Sequence, residues 1–466
     1  MKIYDKIAVA AFFVVILMSS FVLVSTLRLV VLRSNILVNT DIDLTIPTMI
    51  PLGLNLMYLC ISTFVLVFYL VKYNSVKDQH FRLITKKARA NINYSSSAVV
   101  ANNCSNRDLC SIIIPACNEE TVIRKAVLRI LQQTHKNIEV IVVSHNSTDR
   151  TFDEAQVSDP RVKVFDLRTK KAGKPIALNY GVEHSSGRFI MVMDADHELN
   201  KEFIEYALAG FDQPYAAVQC ECDAINRNYN FVTKMLSMEE DLWSSPYMTV
   251  RTLIGKRCPL LGSGFIIKKD VLIEVGMFGD SLVEDYELSF RLYRKKYRIL
   301  FVPLSIVHDE HPPTLQLMIR QRSRWTKGFI DLLNKRIAEP TDILGHIYGI
   351  YPIVALSGAM MFAMISYVSI FNLIFGYLPF AFSYLPLEAW FLITGLNFVL
   401  NALALLRKHG WSGFRYVHYL IPYTVFSQYG IVVLFRAFFV RSWASTKTSH
   451  GFVAKKTIPE MASVRK

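Results

Sequence analysis

The chain has 466 residues, enough for about three domains of roughly 150 residues each, so it can bury a core of its own. Apolar residues make up 52% and charged residues only 19%, which excludes a disordered chain and argues against a wholly water-soluble globule. Lys and Arg outnumber Asp and Glu by 52 to 38, a net charge of +14; beside so many apolar blocks this points to anionic lipid or a phosphorylated ligand, not to nucleic acid.

The first element is a charge-free run from Ile7 to Leu27. About 20 helical residues span a hydrocarbon layer of roughly 30 Å, so this run is expected to cross a membrane. It is longer than the apolar core of a signal peptide and lacks a clear small-residue cleavage site. A second charge-free run covers Ile50 to Val71. After it come Lys72, Lys77, Arg82, Lys86, Lys87 and Arg89 against the single Asp78, and such an excess marks the cytosolic side. Two membrane helices are therefore expected in residues 1–72 and a linker, rich in Asn and Ser in its second half, in 73–108.

From Cys110 onward strands and helices alternate, the pattern of an α/β domain with a mostly parallel sheet. Strands are expected at Ser111–Ile114, Glu139–Val143 and Phe189–Met193, with helices at Glu119–Gln133 and Pro175–Val182. The cysteines suit no disulfide framework, and Cys220-Glu221-Cys222 lacks zinc-knuckle spacing, so reduced thiols are expected.

In such sheets ligands lie beyond the carboxyl ends of strands, which directs attention to 115–120, 144–149 and Asp194-Ala195-Asp196. Two carboxylates one residue apart after so apolar a strand suit a hard cation, Mg²⁺ or Mn²⁺, although an isolated pair is more often a turn former. Lys170, Lys171 and Lys174 surround Gly173 before a helix, a place for a diphosphate or simply a solvated face. Glu284-Asp285 opens the helical stretch Tyr286–Lys296 and offers a fixed proton acceptor; alone it reads as a helix-start pair. Gln321-Arg322-Ser323-Arg324-Trp325 lies in an amphipathic helix expected over Thr314–Lys335, suited to the headgroup plane.

The apolar runs resume at Ile347–Phe382, Ala389–Leu406 and Tyr416–Phe435. Three crossings would carry the basic tail, with Arg436, Arg441, Lys447, Lys455, Lys456, Arg465 and Lys466, out of the cytosol. One run is therefore expected to lie in the interface, or the first to fold back.

Taken in order, Pro115-x-x-Asn118-Glu119-Glu120, Lys171-x-Gly173-Lys174, Asp194-Ala195-Asp196, Glu284-Asp285 and Gln321-x-x-Arg324-Trp325 resemble the membrane-embedded family 2 glycosyltransferases, such as hyaluronan, cellulose, chitin and poly-N-acetylglucosamine synthases. The resemblance covers 111–328, about half the chain. It implies a cytosolic GT-A domain, Rossmann-like with a mostly parallel sheet, over 109–311. That domain sits between N- and C-terminal membrane helices, with interfacial helices over 312–340, membrane or interfacial helices over 341–440 and a cytosolic tail over 441–466. It implies inverting transfer from a nucleotide-diphosphate sugar in the plasma membrane. Asp194 and Asp196 would hold Mg²⁺ or Mn²⁺, and Pro115, Asn118, Glu119, Asn146, Lys174 and Asp194 would line the donor. Asp285, with Glu284, would deprotonate the acceptor. Gln321, Arg324, Trp325 and Gly264 would close on diphosphate and acceptor, bulk at Gly264 being excluded by the sugar.

The chain departs from many members after the second strand, with Ser144-His145-Asn146-Ser147-Thr148-Asp149 in place of an Asp-Asp-Gly-Ser stretch. The preference for a UDP-sugar thereby loses an acidic anchor. The leading expectation is elongation and translocation of a β-linked polysaccharide. The alternative is one transfer to a membrane lipid, and a non-enzymatic transporter is the third.

Overall fold

A computed structural model describes residues 66–74, 76–78, 82, 109–212, 214–254, 258–334, 387–426 and 429–440. They fall into two units, one built from 1–73, 241–250 and 347–435, the other from 74–240, 251–346 and 436–466.

The second unit holds an eight-stranded sheet. In chain order its elements are β1 (Cys110–Ala116), α1 (Ile123–Leu131), β2 (Ile138–His145), α2 (Thr151–Ala155), β3 (Val162–Leu167), α3 (Lys174–Glu183), β4 (Phe189–Val192), β5 (Glu198–Leu199) and α4 (Phe203–Ala209). There follow β6 (Ala217–Ala224) and α5 (Phe231–Glu239); a π-helical turn (Glu240–Ser244) and α6 (Ser245–Ile254) then include the first unit's segment 241–250, after which the second unit continues with β7 (Phe265–Lys268), α7 (Lys269–Glu274), α8 (Glu284–Arg294), β8 (Ile299–Asp309) and α9 (Leu315–Asn334). The expected strands and helices are all present with their ends shifted by a few residues.

Side chains alternate across a strand, so each face of the sheet needs its own cover. Ile112, Ile114, Val140 and Val142 are buried in one cluster with Ile123, Val127 and Ile130 of α1 and Phe203, Ala207 and Leu208 of α4. On the other face Ile141 and Val143 pack with Ala177 of α3. A Cβ on Gly181 would lie 2.5 Å from Ile113, so the glycine lets α3 close on the sheet.

The strand order is β3-β2-β1-β4-β7-β6-β8-β5. β3, β2, β1 and β4 are parallel, as expected, but β7 runs antiparallel between β4 and β6, and β5 runs antiparallel to β8. The sheet is therefore mixed rather than mostly parallel, with β7 and β5 as its two reversed strands. Pairing of β6 with β8 jumps from Cys220–Val302 to Glu221–Ile306. The skipped stretch of β8 contains Pro303, which has no N–H for a ladder.

In the first unit α10 (Leu387–His409) covers the expected run Ala389–Leu406. Buried Asp241 is held there by Lys408 Nζ at 2.9 Å and His409 Nε2 at 2.8 Å. The expected run Tyr416–Phe435 is divided among α11 (Phe414–Val417), α12 (Leu420–Phe426) and α13 (Gly430–Ala437), not carried by one helix. Among the described residues no helix is long and apolar enough to cross a membrane. The runs Ile7–Leu27 and Ile347–Phe382, most of Ile50–Val71, most of the linker and the tail beyond 440 lie outside the described residues.

Candidate active site

The loops after β1 and β2 are tied to one another. Asn118 and Asn146 both adopt positive φ, 59° and 53°, a conformation asparagine tolerates better than most side chains. The Asn118 Oδ1 accepts the Thr148 N–H at 2.7 Å, and the Asn118 N–H donates to Ser147 Oγ at 3.2 Å. The Glu119 N–H donates to Thr151 Oγ1 at 2.7 Å and that of Glu120 to Asp149 Oδ2 at 3.3 Å. Burial would raise the Asp149 carboxyl, but hydrogen bonds from Thr151 and the Glu120 amide outweigh it and hold the group below its ordinary value. Pro115, Asn118, Glu119 and Asn146 thus share one rim of the sheet. Asn146 spends its amide on the main chain, with Nδ2 donating to Thr169 O and Oδ1 accepting the Thr169 N–H, both at 2.9 Å. It braces the stretch leading to Lys174.

Lys174, the first residue of α3, is the hub of the site. Its Nζ lies 2.5 Å from Asp194 Oδ1, 3.8 Å from Glu284 Oε1 and 3.0 Å from the Gly262 carbonyl, to which it donates. Burial alone would lower the ammonium, yet Asp194 and Glu284 overcome that effect and raise it. Asp285 joins through the same loop: its Oδ2 accepts the Gly262 N–H at 2.5 Å and its Oδ1 the Tyr286 N–H at 2.8 Å. Neither acid caps α8; both lie in its first turn, where the helix dipole favours negative charge. Burial, then repulsion from Glu284, push Asp285 up to about 7, against the two amides and Lys174. A carboxyl near neutrality is matched to taking up a proton.

The loop Gly262-Ser263-Gly264 carries the main-chain contacts. Ser263 Oγ accepts the Asp194 N–H at 3.0 Å, and Gln219 Oε1 accepts the Leu261 N–H at 2.8 Å. Gly262 faces the acids, with Asp285 Oδ2 3.6 Å from where a Cβ would stand. Gly264 faces away: at φ 67° its Cβ would lie 2.6 Å from Val307 Cγ1. Bulk at Gly264 is therefore already excluded by Val307 of β8.

Arg324 reaches this cluster from α9. Its guanidinium donates to the Leu282 carbonyl at 3.0 Å. Burial lowers it, while Glu284, Asp285 and Asp194 act in the opposite direction, so all three acids are close to it. Gln321 lies one turn earlier on the same half-buried face. Trp325 instead lies under the Arg322 guanidinium, 4.6 Å from ring centroid, and Arg322 is paired with Glu239 at 3.1 Å. Part of the apolar stripe of α9, expected at the lipid surface, packs on the sheet domain: Phe329 meets Tyr286 edge-on at 4.7 Å, and Gly328 abuts Val283.

Three carboxylates therefore share a buried neighbourhood with two cations. A diphosphate brought here adds negative charge that Lys174 and Arg324 do not balance, and the oxygen donors of Asp194 and Asp196 suit Mg²⁺ or Mn²⁺. Asp196 Oδ1 lies 3.8 Å from His197 Nε2, and the buried His197 Nδ1 has no hydrogen-bond partner. Sequence reasoning passed over Gln219 and His197. A glutamine at a buried strand position and a histidine directly after Asp194-Ala195-Asp196 were the available signals. It also passed over the buried His311, whose Nε2 lies 3.3 Å from Glu240 Oε2 and Nδ1 3.8 Å from Asp309 Oδ1.

Residues 111–276 match the family described as Glycosyl transferase family 2. Over those residues the chain is similar to the family 2 glycosyltransferases, and its sheet is mixed and Rossmann-like. Among its relatives is the probable glycosyltransferase YdaM of Bacillus subtilis, 32% identical over 228 residues, 47% of this chain and 54% of that protein. The beta-monoglucosyldiacylglycerol synthase of Nostoc sp. is 30% identical over 228 residues, 47% of this chain and 48% of its own. The poly-beta-1,6-N-acetyl-D-glucosamine synthase of Staphylococcus aureus is 24% identical over 245 residues, 52% of this chain and 60% of its own. The chain spans about half the length of the curated relatives it matches.

Proposed function

We propose that the protein is an inverting glycosyltransferase that moves a sugar from a nucleotide-diphosphate donor onto a growing β-linked polysaccharide and passes the product across the plasma membrane. The observation that carries the reading is the joint placement of Lys174, Asp194, Glu284, Asp285 and Arg324 around one loop. Asp285 takes the proton of the acceptor hydroxyl, and its place in the first turn of α8 fixes that carboxylate. Lys174 and Arg324 attract the diphosphate and stabilise the charge that grows as it leaves. A divalent cation held by Asp194 and Asp196 would supply Lewis-acid stabilisation of the same charge. Arg324 brings α9 into the site, and Trp325, one residue on, is assigned to the acceptor side.

The membrane assignment rests on the charge-free runs and on the basic residues flanking them, which set the catalytic domain in the cytosol. Because Asn146 spends its amide on Thr169, recognition of the base falls to other groups of the rim. UDP-sugars come first in a donor panel.

A second reading, one transfer to a membrane lipid, is favoured by the higher identity to the diacylglycerol-modifying relative, 30% against 24% for the polymer-forming one. Product length separates them. The chain, purified in detergent and given radiolabelled nucleotide sugars with Mg²⁺ or Mn²⁺, should yield a high-mass polymer; one extractable glycolipid would replace the first reading with the second. Absence of any transfer from every donor would remove both.

A further inference from the structure

Trp325 is held by a set of charges separate from those around Lys174. On α9 the i,i+3 spacing sets Arg322 and Trp325 on one face, while Arg324, about 100° round the helix from Trp325, reaches the acid cluster. The guanidinium carbon of Arg322 stands 4.6 Å from the Trp325 ring centroid, inside the roughly 6 Å at which a ring face attracts a cation. Its Nη2 lies 3.1 Å from Glu239 Oε1, and both of these side chains are largely buried. A guanidinium is planar, so it can offer its edge to a carboxylate and its face to a ring at the same time.

Glu239 ends α5, and Glu240 after it opens the π-helical turn. These two acids meet two cations. Burial lowers His311, but Glu240 and Asp309 outweigh it and raise the imidazole to about 9, so it is charged at neutral pH. Arg322 acts against that rise, which places its guanidinium close to the imidazole. Glu240 and Asp309 lie 3.3 and 3.8 Å from His311, and Glu239 is the acid that Arg322 engages. A like charge repels Arg322 and an opposite charge holds it, and between them they fix its place over the ring.

We propose, on the reading that sets Trp325 at the acceptor, that Glu239 is a positioning residue for acceptor binding: through Arg322 it fixes the plane of the Trp325 ring, so that a pyranose of the acceptor packs on the face opposite the guanidinium. The C–H face of a sugar ring is apolar and suits such a surface. Glu239 touches neither donor nor acceptor.

The test uses the full chain in detergent with 5-fluorotryptophan in place of its five tryptophans. The fluorine resonance missing from Trp325→Phe belongs to Trp325, and it should shift in Glu239→Gln and in Arg322→Lys. Acceptor KM is read with cellotetraose and chitotetraose, and dioleoylglycerol serves as the acceptor without sugar. Both variants should raise the KM for the sugar acceptor about tenfold while kcat and donor KM stay within about twofold, as expected when only acceptor binding is weakened. In a Trp325→Ala background Glu239→Gln should add nothing further, whereas a merely structural ion pair would add its own effect. Should Glu239→Gln unfold, Arg322→Lys carries the test, since it keeps the charge and loses the planar stack. An unmoved Trp325 resonance, an equal loss in donor KM or kcat, additivity with Trp325→Ala, or transfer to dioleoylglycerol alone overturns the proposal. Absence of all transfer removes the proposed function instead, and the resonance then still decides whether Glu239 sets the ring.

Discussion

The two halves of the sheet are built differently. In the half formed by β3, β2, β1 and β4 the strands are parallel, and the rim is held by contacts among loops that directly follow those strands: Asn118 to Thr148, Glu119 to Thr151, Asn146 to Thr169. In the half formed by β7, β6, β8 and β5 the strands are mixed, and the site groups near them are gathered from distant stretches: the acids Glu284 and Asp285 from α8, the guanidinium of Arg324 from α9 and the main chain of the Gly262 loop before β7. Lys174 joins the halves, since it follows the first rim and ends among the acids of the second. A loop rim can lose one hydrogen bond and hold its shape, whereas a buried set of unlike charges depends on every member.

The difference predicts a ranking of damage. The largest effect should come from Asp285→Asn, which keeps an acceptor oxygen for the Gly262 amide but removes the base. Turnover should fall about 10²- to 10⁴-fold, with circular dichroism and donor binding little changed, and near-wild-type turnover would remove the assigned role. Next comes Lys174→Met, which removes the ammonium between Asp194 and Glu284 and leaves them to Arg324. Breaking a buried pair on one side costs about 3–5 kcal/mol, so denaturant midpoints should drop and donor affinity with them. A midpoint equal to the wild type would mean that the acids do not depend on Lys174.

Gly264→Ala should cost about 1–3 kcal/mol through contact with Val307 and a positive φ, read as a lower unfolding midpoint. If the sugar rather than β8 set the limit there, stability would be unchanged and only acceptor KM would rise.

The smallest effect is on pH. With Asp285 raised to about 7, activity should rise through an acidic limb near that pH, and Glu284→Gln should move the limb lower by removing the neighbouring charge. Stability moves the other way. A carboxyl raised on folding contributes stability below its unfolded value near 4, and that contribution is lost as pH rises through about 7. Asp285→Asn should therefore gain on the wild type in unfolding assays above neutrality; an identical pH dependence of both would show that Asp285 titrates normally.

Much of the first half of the sheet was legible because its signals are local. Ile112 to Ile114, Val140 to Val143 and Phe189 to Val192 are unbroken apolar runs, and the polar residues after them mark the rim. β7 was not legible, because Phe265-Ile266-Ile267-Lys268 carries no sign of its direction. Nor did sequence separate Gly262 from Gly264, since which of two glycines faces the acids depends on the path of a loop braced by Gln219. Asp309 and His311 read as ordinary polar residues before a proline pair; only the approach of Glu240 makes them a cluster.

By itself the sequence determined the alternation of strands and helices, the charged groups available for chemistry and their order along the chain. Hydrophobic period and local charge act over neighbouring residues and need no knowledge of the fold. The tertiary structure decided which of those charges meet: the mixed strand order brings residues from 174 to 324 around one loop and buries them. Burial and like-charge repulsion, which raise Asp285, exist only once distant segments have displaced the water between them.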